Sequence, residues 1–377
     1  MKTNNSKSLL IALSLLIGGF ASQLYGQGYD TDEKSMLKGV SKNIKNGWQT
    51  DPVFTVGETD NDGTDYSQDR FGYRLPGIPD GMYAFRKGFG RVNVLLNHEL
   101  RADAGYPYTL ANGTTLSGAR VTKLELRRNF FGAPTMTSAE LAHHTIYDRY
   151  YNEVTSGTQI DEGNDAGEGL RRLCSANGIE RFKFGFFDDI FFTGEETGGG
   201  QEFALDVNNN VLYCAPAMGR AAWESVAVMD NFNSNKVVVL VGDDRGGAPL
   251  LLYVGQKFQS YPGDNAPMFL KRNGLAKGNL YVWVADNGDV SPEDWNGTGT
   301  SRSGKFVKIQ HYNPSMAGQP GYDDVGWADQ DTQDDLAFNV AGAFAFSRPE
   351  DVHTNPADGT QAVLASTGRD SLFPSDS

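Results

Sequence analysis

The segment Gly242-Asp243-Asp244-Arg245-Gly246-Gly247-Ala248 groups two carboxylates, a guanidinium and two glycines directly after the apolar run Val237–Val241. A β-branched run of that length reads as a buried strand, so the charged group falls at a strand end, where a β-scaffold places its chemistry. Adjacent acids supply hard oxygen ligands for cations, and an arginine beside them matches a planar or tetrahedral oxyanion. Comparable clusters recur. Asn97-His98-Glu99 follows Val92–Leu96, and Glu195-Glu196 follows Asp189–Thr193 and Gly194. Glu224 interrupts the apolar stretch Trp223–Val228, and Arg348-Pro349-Glu350-Asp351 follows Val340–Phe346. Each alone has an ordinary reading as a solvated turn or surface ion pair. Glu224 inside a strand must be paired, ligated or exposed, with Arg220 as its ordinary partner. Arg348 could grip a phosphate bidentately while Glu350 binds a metal. Asp60-Asn61-Asp62-Gly63-Thr64-Asp65 and Asp286-Asn287-Gly288-Asp289 have the oxygen spacing of half a calcium loop, and both read as acidic turns.

The soft donors are few. Cys174 and Cys214 either pair in an oxidising compartment or leave one thiolate for a metal, and the sequence leaves both open. Five histidines do not favour a three-His zinc site when oxygen ligands are this abundant.

Strand-like runs would position these groups: Val92–Leu96, Arg120–Leu126, Thr145–Tyr151, Ile190–Thr193, Val211–Cys214, Ser225–Met229, Lys236–Val241, Leu250–Val254, Asn279–Ala285, Lys305–Gln310 and Gln361–Ser366. Many of the 45 glycines lie between them, with turn signals at Asn112-Gly113, Asn177-Gly178, Asn208–Asn210, Asn273-Gly274 and Asn287-Gly288. No long helical periodicity competes, apart from a turn or two around Met36–Ile44. The expected class is all-β, a propeller or a large sandwich. No strict sequence repeat is present, so a propeller here has diverged blades. A radial fold must close or leave an edge, so either the chain is a fragment or its N-terminal segment closes the ring.

Residues 1–26 read as a secretory signal, with Lys2 and Lys7 ahead of the apolar Leu9–Ala21 and cleavage after Ala21 or near Gly26; an uncleaved anchor is the alternative. Residues 27–377 then form a single domain in the periplasm or outside the cell, a monomer without stable membrane insertion. A formal charge of −14 over 377 residues argues against nucleic-acid partners. It also repels phosphate esters unless bound cations reverse the local sign.

Taken in chain order, the clusters resemble the PhoX family of secreted alkaline phosphatases. The matching residues are Gly77-Ile78-Pro79-Asp80-Gly81, Asn97-His98-Glu99, Cys174-Ser175, Glu195-Glu196, Gly219-Arg220 with Glu224, Gly242–Ala248 and Arg348-Pro349-Glu350-Asp351. The resemblance implies a β-propeller, six-bladed in the family and incomplete here at the C-terminus. It implies hydrolysis of small phosphate monoesters through a cluster of Ca2+ and Fe3+. Cys174 would ligate iron. Glu224 and Glu350 would ligate iron or calcium, with Glu99, Glu195 and Glu196 as further ligands. Asn97 and Arg348 would hold phosphate oxygens, and Asp243, Asp244 and Arg245 would ligate or brace the cluster. Gly194 stands where the family commonly has Cys, and Trp223 where His often precedes the strand glutamate. Two other classes share the acid clusters: a calcium-stabilised propeller that only binds, and a different metal-dependent propeller hydrolase of phytase-like or lactonase-like type.

Overall fold

The computed structural model describes residues 31, 52–59, 63–128, 134–161, 167–295 and 299–368. The signal segment and the expected helical turn at 36–44 lie outside them.

The first sheet contains β1 (Pro79–Gly88) and β2 (Arg91–His98). After a small hairpin of β3 (Tyr108–Thr109) and β4 (Thr115–Leu116), it is completed by β5 (Arg120–Arg127) and β6 (Thr135–Leu141), in the order β1-β2-β5-β6. The second comprises β7 (Thr145–Tyr147), β8 (Leu173–Ile179), β9 (Ile190–Glu195), β10 (Glu202–Asp206) and β11 (Val211–Cys214). Here β8 to β11 form a meander and β7 adds in parallel to β11. The third uses β12 (Trp223–Met229), β13 (Lys236–Asp243), β15 (Leu251–Gln256), β16 (Gly278–Ala285) and β17 (Gly304–Ile309). The short β14 (Gly246–Pro249) leaves this sheet to pair with β18 (Ala345–Ser347). A fourth, two-stranded sheet joins β19 (Pro349–Thr354) to β20 (Ala362–Ser366).

The protein is all-β, and its sheets are arranged as propeller blades. The first strands pack in succession: β1 against β8, β8 against β12, and β12 against β19. The described sheets do not close into a barrel. Each neighbouring pair of sheets shares a core. Leu95 and Val121 meet Phe191 and Phe203 between the first and second sheets. Phe192 meets Val226, Val239 and Leu251 between the second and third, and Ala227 and Met229 meet Val352 between the third and fourth. A sheet covered on both faces has no polar side, which is why Ile190-Phe191-Phe192 and Val237–Val241 are apolar at every position. Burying each of these phenylalanines contributes roughly 2–3 kcal/mol.

Neighbouring sheets meet too closely for side chains at their inner ends. A Cβ on Gly81 of β1 would overlap the backbone of Ser175 and Ala176 in β8, and one on Gly242 of β13 would overlap the Glu350 carbonyl of β19. Asn177-Gly178 lies inside β8, correcting the turn expected there: Gly178 is covered by the Tyr83 ring. The apolar run Val340–Phe346 is a strand only from Ala345, because residues 336–340 form a π-helical turn.

Gly242→Ala should cost about 3 kcal/mol or more, because the atom it strikes is backbone and cannot rotate away. Gly77→Ala meets nothing within 4 Å and should change stability by less than about 0.5 kcal/mol. Denaturant unfolding of the two variants checks the difference; equal stability would refute the close approach.

Candidate metal centre

One local device is built four times. At the start of each inner strand two residues oppose one on the partner strand, a β-bulge. Asp80 and Gly81 face Asn97, and Cys174 and Ser175 face Gly194. Glu224 and Ser225 face Gly242, and Glu350 and Asp351 face Ala365. The residue just past the end of each partner strand then donates its backbone N–H to the residue just before the inner strand. These bonds are Glu99 to Ile78 (3.0 Å), Glu196 to Arg172 (2.9 Å), Asp244 to Ala222 (2.9 Å) and Thr367 to Arg348 (3.2 Å). Asn97-His98-Glu99, Gly194-Glu195-Glu196 and Gly242-Asp243-Asp244 are therefore one structural position in three successive sheets.

Alternation along the strand ends sorts these residues into two layers. The lower layer is buried and braces the turn beneath it. His98 bonds the Gly77 carbonyl through Nδ1 (2.9 Å) and the Thr122 hydroxyl through Nε2 (2.8 Å). Glu195 accepts from the N–H groups of Arg171 and Gln201, both at 3.3 Å. Asp243 accepts from Ala222 N (3.0 Å) and from Arg245 at 2.9 and 2.6 Å, and Arg245 also forks onto Asp334. Ser366 bonds the Ser347 carbonyl. Glu195 and Asp243 are thus held below the rim, and Arg245 braces one of them. Asn97 is also a brace: its amide donates to the Cys174 and Ser175 carbonyls (2.8 and 3.2 Å) and accepts from Thr193 (3.1 Å).

The upper layer is the rim. The Cys174 thiol lies between Asp80 (3.2 Å) and Glu224 (3.3 Å). Ligand atoms of Asp80, Glu99 and Cys174 lie within 4.8 Å of one another, as do those of Cys174, Glu196 and Glu224. Asp244 touches Glu196 and Glu350 and is forked by Arg348 at 2.7 and 2.6 Å. Arg348 also reaches Glu350 (2.6 Å), which accepts from Thr367 (2.8 Å). Arg172 spans Glu99 (3.5 Å) and Glu196 (2.9 Å). Both rim arginines have left-handed backbones, φ 45° at Arg172 and 54° at Arg348, and keep 37% and 41% of their side chains exposed. Bulky residues seldom adopt that conformation, and it turns each guanidinium over the acids.

The rim is electrostatically unsatisfied. Burial, followed by the charges of Glu224 and Asp80, pushes the Cys174 thiol upward. Burial raises Glu224 to about 8, aided by Glu196, Asp351 and Asp244, and raises Glu196 to about 7 against the pull of Arg172. Burial also opposes ionisation of Asp244, yet the Arg348 fork holds it below the usual carboxylate range. Six carboxyls (Asp80, Glu99, Glu196, Glu224, Asp244, Glu350) thus share two arginines. Oxygen-rich donors around a single sulfur fit cations, which would offset that excess.

Sequence reasoning missed Asp80, Arg172 and Thr367. Asp80 lay in the quoted Pro79-Asp80-Gly81 match, and Arg172 stands two residues before Cys174. Cys174 and Cys214 are both free. They lie on β8 and β11 with two strands between them, about 14 Å apart at strand spacing, beyond disulfide reach. Cys214 instead donates to Gln201 (2.8 Å). Asp65 caps the helix Tyr66–Phe71 and Asp289 pairs with Arg302, the ordinary readings of those turns. Arg220 donates to the Gly199 carbonyl (2.9 Å), while Glu224 takes the thiol.

The fold and site define a bladed all-β scaffold with a carboxylate–thiol rim. No protein-family model matches the sequence, and no curated protein is similar to it by sequence. Among solved structures, Pseudomonas fluorescens PhoX in complex with vanadate, a transition state analogue, is similar at a TM-score of 0.48 and 17% identity. The similarity covers 76% of this chain and 58% of that chain, so it spans less than two thirds of the PhoX protein.

The raised acids set a pH dependence. A carboxyl raised in the folded state contributes stability below its unfolded value near 4.5 and loses it as pH rises through its folded value. Chelator-treated protein should therefore lose on the order of 2 kcal/mol between pH 6.5 and 9. The buried His98, His143 and His311, lowered to about 4, 3 and 4 by burial, are neutral throughout that window. Glu224→Gln should flatten the slope, and added calcium should abolish it; a slope unchanged by both would remove the charge-excess account.

Proposed function

We propose that the rim is the active site of a secreted, metal-dependent phosphomonoesterase acting on small phosphate esters, with calcium and iron as its cations. The observation that carries this reading is the Cys174 thiol seated between Asp80 and Glu224, with Glu99 and Glu196 in reach and two exposed arginines above. Asp80, Glu99, Glu196, Glu224, Asp244 and Glu350 would hold calcium through oxygen, and the Cys174 sulfur suits a softer transition ion such as iron. Bound cations would supply Lewis acidity toward phosphoryl oxygens and reverse the rim's negative field.

The chain's own contribution is orientation. Arg348 and Arg172 present guanidinium donors along the rim that a tetrahedral oxyanion could accept. Asp244, Glu350 and Glu99 fix those guanidiniums in advance, so little ordering is left for the moment of reaction. Asn97 acts through Cys174, because its amide pins the bulge that carries the thiol. Residues 1–26 are assigned to export, and no helix among the described residues is long and apolar enough to cross a membrane.

Hydrolysis of a phosphomonoester at alkaline pH should vanish on chelation and return with calcium and iron. Arg348→Lys should lower kcat/KM by about 10²-fold, because a point charge cannot keep the fork. Cys174→Ser should lose iron and keep calcium in metal analysis. A folded, metal-loaded protein without turnover would favour a rim that only binds, and turnover of lactones but not phosphate esters would favour a lactonase.

A further inference from the structure

The turns at the end opposite the rim carry exposed phenylalanines. Phe89 lies in the β1–β2 turn, Phe182 in the β8–β9 loop, Phe232 in the β12–β13 loop and Phe258 after β15. The strand registers fix which end this is. Gly88 pairs with Arg91, Ile179 with Ile190, Met229 with Val238 and Lys236 with Gln256, all distant from the bulges. The loops that carry Phe182, Phe232 and Phe258 touch: Lys257 N donates to Asn235 O (3.0 Å), Phe187 N to Asn273 Oδ1 (2.8 Å), and Gly359 lies against Asp230 and Phe184. Phe89 is fully exposed, Phe232 84%, Phe182 74% and Phe258 61%.

Two features set these tips apart from scattered surface apolar residues. All four have left-handed backbones, with φ 48°, 65°, 52° and 58°, where Gly or Asn would be easier. None of the four rings joins a hydrophobic core cluster of the described residues; Phe258 meets only the edge of the Phe187 ring among the described aromatic side chains, at 5.4 Å. The surrounding charge is also of the other sign. Segments 86–91, 180–189, 230–236 and 257–272 hold nine Lys or Arg against five Asp or Glu, in a chain of net charge −14. Lys87 and Arg91 reach Glu125, and Arg272 reaches Asp188, while Arg86, Arg181, Lys183 and Lys236 are exposed. Arg181 and Lys183 lie over the rings of Phe182 and Phe184 at 5.7 and 5.9 Å.

We infer that this face docks on an anionic phospholipid bilayer, with the four phenylalanines in the interfacial layer and the lysines and arginines at the headgroups. Separate aromatic tips among cations suit a soft, charged interface better than a shaped protein pocket, which would ask for a contiguous apolar patch. Docking there leaves the acidic rim facing away from the lipid.

The test is co-sedimentation of the purified chain with phosphatidylcholine vesicles made with and without phosphatidylglycerol. The protein should pellet with the anionic vesicles, and salt should weaken the binding. Replacing Phe89, Phe182, Phe232 and Phe258 by Asn suits the left-handed backbone, so the melting temperature should hold. Each replacement should cut partitioning by about tenfold, the cost of losing one buried apolar side chain. No pelleting with either vesicle, or equal pelleting of the fourfold variant, would overturn the inference. So would lipid-free self-association in sedimentation velocity that the fourfold variant lacks, because the tips would then join copies of this chain.

Discussion

Everything at the rim depends on backbone meeting backbone. Neighbouring sheets approach so closely at Gly81 of β1 and Gly242 of β13 that no Cβ fits between them. That approach brings four bulges to one place, and a bulge re-aims the side chain at its first extra residue. Asp80, Cys174, Glu224 and Glu350 occupy that position in turn, so functional groups from four sheets converge without any long loop. Gly194 belongs to the same constraint. A Cβ at Gly194 would strike the Cβ of Trp223 on β12 and the Glu202 carboxylate, so β9 and β12 also approach too closely there for a side chain at position 194.

Convergence of this kind is unfavourable for charge. Burial and mutual repulsion raise Glu196 and Glu224 into the neutral range, and the cysteine beside them stays protonated. In the lower layer, although burial raises Asp243 too, His98, Glu195 and Asp243 spend polar atoms on backbone groups, the Thr122 hydroxyl or Arg245. The scaffold is thus complete without help from above, and the excess is confined to groups that face outward. Backbone strain accompanies it at Arg172 and Arg348. A site that is costly only in its outermost layer can hold cations without the fold depending on them.

Strands made of apolar runs were legible in the sequence, including the inner strand β12 from Ser225–Met229, while three of the four inner strands were not. Val211–Cys214, Lys236–Val241 and Asn279–Ala285 coincide closely with β11, β13 and β16, because apolar, β-branched runs report a strand buried on its faces. The strands β1, β8 and β19 went unread. Pro79-Asp80-Gly81, Cys174-Ser175-Ala176-Asn177-Gly178 and Pro349-Glu350-Asp351 look like turns, since a bulge breaks the period of two and close packing demands glycine. Acid clusters were therefore visible as clusters, but not their layering. Nothing in Glu195-Glu196 or Asp243-Asp244 tells which member is buried until the strand direction is known. The fourfold equivalence was hidden for a similar reason: its common element is a backbone hydrogen bond, which Glu99, Glu196, Asp244 and Thr367 make equally well.

Antiparallel connection also sorts the chain into two unlike ends. Every inner strand begins at the rim and turns back at the other end, so bulge residues collect at one pole and hairpin tips at the other. A net charge of −14 therefore describes neither pole. The rim concentrates carboxylates beyond what two arginines offset, while the tips combine exposed cations with Phe89, Phe182, Phe232 and Phe258. Segregation matters because a field is felt over roughly 10 Å at moderate ionic strength. If acids and bases were interleaved over that distance, the rim would attract cations weakly and the tips would be repelled from an anionic surface. Held apart by the length of the strands, each pole can act on its own sign of charge.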